Sequence, residues 1–159
     1  MIYAGKHSRN FLLAAVPGFC LYWIVTFLLG LVIRQLIPDY TNLNDNSISQ
    51  MAAGNFPIVA LGTALFVPVV EETLHRGLVF GALHKKHPVF AYVFSTLLFA
   101  FIHVAGYLGS YSAPALIAAT VQYLPAGLIL AWAYRYSGSI FAPIVIHVAI
   151  NTVGLWLMR

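Results

Sequence analysis

Seven polar side chains stand inside otherwise apolar stretches, and their spacing suits hydrolytic chemistry. Glu71 and Glu72 are adjacent, and His75 and Arg76 follow one helical turn later. His103 stands alone in a second apolar stretch, and His147 and Asn151 share a third. Residues four apart lie on one helix face, so Glu72 can pair with Arg76, Glu71 can meet His75, and His147 and Asn151 can point at one ligand atom. On the insertion scale each Glu or Arg near a helix centre costs roughly 2.5–3.5 kcal/mol in hydrocarbon, on the order of 8–10 kcal/mol for Glu71, Glu72 and Arg76 if unpaired. A chain with only four acidic residues places two of them here. A Glu in a low-dielectric site suits a general base acting on water, with His103 holding or sharing that water. His147 and the Asn151 amide could donate to a developing oxyanion. Zinc held by Glu71, His103 and His147 is the competing scheme. It is the weaker one, because no His-Glu-x-x-His run is present.

The elements that carry these residues are membrane helices. The 159 residues are enough for one domain. Hydrophobic residues make up 61% and charged residues 8%, against about 45–50% and about 25% in soluble domains. Mean hydropathy is +0.87. A soluble enzyme, a disordered chain and a free nucleic-acid binder are thereby excluded. A span needs about 20 apolar residues, and helices satisfy their own backbone in lipid. The expected architecture is all-α, a polytopic transmembrane bundle of five segments: 11–33, 57–83, 88–104, 114–134 and 139–158. We read residues 1–159 as a single transmembrane domain, with the first span and an external loop in 1–56 and the motif-bearing core in 57–158. The stretch Pro38 to Asn55 is polar and aperiodic, and reads as a loop with a short interfacial helix at its end. The first segment is too long for a signal-peptide core and reads as a retained span. Segment 57–83 exceeds one straight crossing and is expected to tilt or break near the Glu pair. Pro68 and Pro143 are expected to kink their helices.

The few basic residues act as topology signals rather than a nucleic-acid footprint. With the N-terminus inside, Lys6, Arg9, Lys85, Lys86 and Arg135 are cytoplasmic, Arg34 and Arg159 are outside, and Arg76 is within the membrane. From Lys85 back to Glu71 a helix climbs ~21 Å, from Lys86 to His103 ~25 Å, and from Arg135 to His147 and Asn151 ~18 and ~24 Å. Three segments therefore bring Glu71, His103, His147 and Asn151 to a similar depth. Cys20 reads as packing, Gln122 as a polar tie between helices, His84 and His87 as interfacial, and Trp23, Trp132 and Trp156 as packing or interface belts.

The motifs Glu71-Glu72-x-x-x-Arg76, Phe99-x-x-x-His103 and His147-x-x-x-Asn151, in this order over roughly 57–158, resemble the CPBP family of CAAX-protease and bacteriocin-processing (Abi) intramembrane endopeptidases. The resemblance implies an all-helical membrane peptidase core. It implies that Glu71 is the catalytic base, working with His103 on the hydrolytic water, that His147 and Asn151 stabilise the oxyanion, and that Glu72 and Arg76 support and orient the site. It implies a glutamate-dependent, metal-free mechanism, although the family was formerly described as metal-dependent. It also implies a peptide or membrane-protein substrate within the lipid bilayer. The family often has an aromatic residue before the motif arginine, where this chain has His75. Two other readings stay open: a non-catalytic membrane protein that gives bacteriocin self-immunity by binding a partner, and a small transporter or proton relay. The lack of an inverted repeat counts against the second of these.

Overall fold

The computed structural model describes residues 2–158, with side chains from Asn10 to Met158. The described residues are helical throughout, with short turns between five rods. These are α1 (Ile2–Leu36), α2 (Leu43–Leu83), α3 (Pro88–Ala105), α4 (Ala113–Ser137) and α5 (Phe141–Leu157). Four of them are long and apolar enough to cross a membrane. The fifth expected span, α5, has 17 residues, a rise of ~26 Å that falls short of the ~30 Å hydrocarbon core. It starts late because Gly138 turns the chain at φ 67°, and Ser137 Oγ bonds the carbonyls of Ala133 and Ser139 across that turn. The chain is a multi-pass helical membrane protein.

α1 packs Phe11, Ala14, Phe19 and Tyr22 into a core shared with α3, α4 and α5. Its other face leaves Leu12, Val16, Ile24 and Phe27 exposed, as a lipid-facing surface would. α3 and α4 lie so close that a Cβ on Gly127 would sit 2.7 Å from Thr96 Cγ2. The cores are small and branched: Ala91, Ala100, Ala126, Leu130, Ala133 and Ile146 are buried. Small residues let membrane helices approach closely.

α2 ends at Leu83 as expected but departs from expectation at its start and in the place of its break. Residues 43–54 form a helix where a loop with only a short terminal helix was expected. Asn42 caps that helix, its Oδ1 accepting from the N–H groups of Asn44 and Asp45 at 3.0 and 3.1 Å. Leu43 is buried against Val104 and Ala119. A cap and one buried anchor suffice where no apolar period exists. The break comes at Asn55 (φ −155°, ψ 81°), not at the Glu pair. Asn55 Oδ1 accepts from Ile58 N–H at 3.4 Å and restarts the helix around Pro57. Past Asn55 the rod continues through two π-helical stretches, Gly62–Phe66 and Thr73–Phe80. The first ends at Phe66, two residues before Pro68, and Phe66 and Val67 keep helical φ/ψ there. Pro143 makes no kink either, because it lies in the first turn of α5, where its missing N–H has no partner to lose.

The chain runs up and down, so the α2–α3 turn and the end of α4 share one end of the bundle. His84 lies edge-on to Tyr134 there, 6.2 Å between ring centres. Lys85, Lys86 and Arg135 are exposed at that end, and Arg34 is exposed at the opposite one. The side chains of Lys6 and Arg9, and the whole of Arg159, lie outside the described residues.

Candidate active site

A cleft of about 700 Å³ opens between the helices. Glu71 from α2, His103 from α3, and His147 and Asn151 from α5 all line it. Glu72, His75 and Arg76 do not; they are fully buried behind its wall.

Arg76 and Glu72 form the foundation. Arg76 Nη1 meets Glu72 Oε1 at 3.0 Å with both side chains wholly buried. Arg76 Nη2 donates to the carbonyl of Gly127 at 3.1 Å and lies 3.5 Å from that of Ala126. Its guanidinium sits over the Phe99 ring, 4.6 Å from the centroid. One arginine thus ties α2 to α3 and α4. A buried charge is tolerated only when it is paired and hydrogen-bonded, and Arg76 has both.

The same Glu72 Oε1 accepts from His147 Nδ1 at 2.9 Å. His103 Nδ1 lies 2.8 Å from the Phe99 carbonyl. A carbonyl only accepts, so Nδ1 of His103 carries the proton. With both Nδ1 atoms engaged, both Nε2 atoms are left for the cleft. Each stands 3.8 Å from Glu71 Oε2. That is too long for a direct hydrogen bond. Glu71 Oε2 is buried between the two rings and has no hydrogen-bond partner among the described residues. Asn151 Nδ2 donates one proton to the Thr63 carbonyl, 2.8 Å away at the first π stretch, which leaves its second N–H. Glu71, His103 and His147 are the set named for a metal. Among the described residues, no three His, Cys, Asp or Glu side chains are arranged to hold one.

His75 turns away from the cleft and lies edge-on to Phe99, 5.3 Å between centroids. Tyr123 stacks on His103 at 4.1 Å, fixing the far face of that ring. Gln122 is the tie between elements that it was read to be, its Oε1 accepting from Tyr40 Oη and Asn42 Nδ2 at 2.8 and 2.9 Å. Phe99, Tyr123 and Thr63 were missed as site residues. Phe99 offered a signal, because it precedes His103 by one turn. Tyr123 and Thr63 offered none.

The family model of the type II CAAX prenyl endopeptidase Rce1-like proteins matches residues 53–153. The chain belongs to this family. The match supports the resemblance to the CAAX proteases, and with it an intramembrane protease acting on a peptide or protein substrate. The matched range carries Glu71, Glu72, Arg76, His103, His147 and Asn151, and leaves out α1 and the first turns of α2. Neither the curated proteins nor the solved structures contain a match.

Proposed function

We propose that the protein hydrolyses a peptide bond in or next to the membrane with water activated by Glu71, without a metal. The observation that carries this reading is the placement of Glu71 Oε2 3.8 Å from both His103 Nε2 and His147 Nε2 in an open cleft. In this reading a water held by the Glu71 carboxylate is shared with the two imidazole rings beside it. Glu71 takes one proton as the water oxygen attacks the carbonyl carbon. The lone pair on His103 Nε2 accepts the second hydrogen and orients the attack. The carbonyl oxygen becomes the oxyanion, facing the free N–H of Asn151 and His147 Nε2. The His147 ring is held toward that oxygen by its Nδ1 bond to Glu72. Glu71 then passes its proton to the leaving amine as the C–N bond breaks.

In this reading residues 57–158 are the catalytic core and Glu72 and Arg76 are positioning residues. We place the N-terminus in the cytoplasm and the C-terminus outside, on the exposed Lys85, Lys86 and Arg135 at one end. The purified, reconstituted protein tests the chemistry. Cleavage of a cocktail of membrane-anchored peptides is expected to survive extended chelation. Glu71→Gln is expected to lower it by about 10²–10⁴-fold, the usual share of a general base. Loss on chelation, restored by zinc, would overturn the metal-free scheme.

A further inference from the structure

The cleft extends well beyond the reacting groups, and three residues of its far wall, Tyr22, Trp23 and Asp45, lie outside the family match. Tyr22 and Trp23 come from α1, Asp45 from the first turn of α2, and Tyr107 and Tyr123 from the α3 end and α4. Asp45 is half-buried and its backbone N–H is taken by the Asn42 cap. Its carboxylate has no hydrogen bond or ion pair among the described residues, although its charge acts on Tyr22, Tyr40 and Tyr123. Among the described residues no lysine or arginine lines the cleft. A second group on the same wall also lacks a partner: the indole N–H of Trp23 is buried and bonds to nothing among the described residues. Its ring is held edge-on by Tyr22, 5.4 Å between centroids. A buried donor left unsatisfied is costly and asks for a ligand acceptor. A half-buried carboxylate among aromatic rings, with no counter-ion among the described residues, asks for a cation.

We infer that this wall binds a lysine or arginine side chain of the peptide substrate. Asp45 holds the charge, the Tyr22 and Tyr123 rings flank the aliphatic stem, and Trp23 Nε1 donates to a neighbouring peptide carbonyl. The protein therefore selects basic residues in the segment that occupies the cleft. This rests on the peptidase reading, since the occupant is taken to be a peptide. A carboxylate in a first helical turn also favours the helix dipole, but that role does not discriminate between ligands.

Binding without turnover separates the two. Purified full-length Glu71→Gln protein in detergent is titrated by calorimetry with an alanine-leucine decapeptide bearing a central lysine, and with the same peptide bearing norleucine. The lysine peptide is expected to bind about tenfold more tightly, as one charge-assisted contact provides. Adding Asp45→Asn is expected to bring the two affinities together by weakening the lysine peptide alone. Asp45→Glu is expected to keep the preference, which controls for folding. Equal binding of the two peptides, no binding of either, or a preference that survives Asp45→Asn would overturn the inference. The peptidase reading fails on a different observation, equal cleavage by wild-type and Glu71→Gln protein.

Discussion

Glu72 Oε1 is the atom on which the site converges, accepting one hydrogen bond from Arg76 and another from His147. Glu71, one residue earlier, lines the cleft, and its Oε2 has no hydrogen bond to either histidine. The two carboxylates therefore answer differently to the same change. Glu72→Gln leaves Arg76 buried without its counter-charge and is expected to cost about 3–5 kcal/mol. Glu71→Gln is expected to leave stability within about 0.5 kcal/mol, the usual range for a change that breaks no buried network. Thermal unfolding of both variants in one detergent checks this; equal losses would contradict the division of labour. The Glu72–Arg76 pair was legible in the sequence because four residues make one turn. The bond from Glu72 to His147 was not, because it joins α2 to α5 and depends on how the helices are rotated. Depth counting placed His147 at the right level and could say nothing about which carboxylate its ring would face.

At the scale of the elements, two close approaches hold these residues in place. Gly127 lets α4 touch Thr96 of α3 and offers its carbonyl to Arg76. A methyl group there would meet the α3 backbone as well as a side chain, with Thr96 Cα at 3.0 Å. Gly127→Ala is expected to cost about 1–3 kcal/mol through overpacking. It should also lower activity by shifting the Arg76 anchor, with kcat falling more than KM rises. Unchanged kcat in a correctly folded variant would show that the anchor does not set the site. The cap of α2 carries the second approach: Asn42 holds its own helix and also accepts from Tyr123 Oη at 3.2 Å, behind His103. Asn42→Ala is expected to destabilise by about 1 kcal/mol, read by thermal unfolding, and to loosen the Asp45 wall. The cap was hidden in a stretch that is polar and without period, so residues 43–54 read as mostly loop. The π-helical stretches were equally hidden, because nothing in apolar spacing separates a five-residue return from a four-residue one. The positions of the rods themselves were legible, since long uncharged runs leave few alternatives in lipid.

Across the whole molecule, the described residues place Lys85, Lys86 and Arg135 at one end of the bundle and open the catalytic cleft between the helices. The basic end predicts orientation: in a Cys20→Ala background, a cysteine at Lys86 should react with an impermeant maleimide only in inverted membranes. Labelling in intact cells would reverse the topology and move the cleft mouth to the other face. The family match and the motif order agree on a protease, and the geometry adds a Glu71 carboxylate set 3.8 Å from two imidazole rings. The central claim is that Glu71 activates water there to cut a peptide bond. The most direct test compares membranes carrying the wild-type chain with membranes carrying Glu71→Gln at equal abundance, with new protein N-termini mapped by mass spectrometry. The account predicts a set of N-termini present only with the wild type. Identical maps would contradict it.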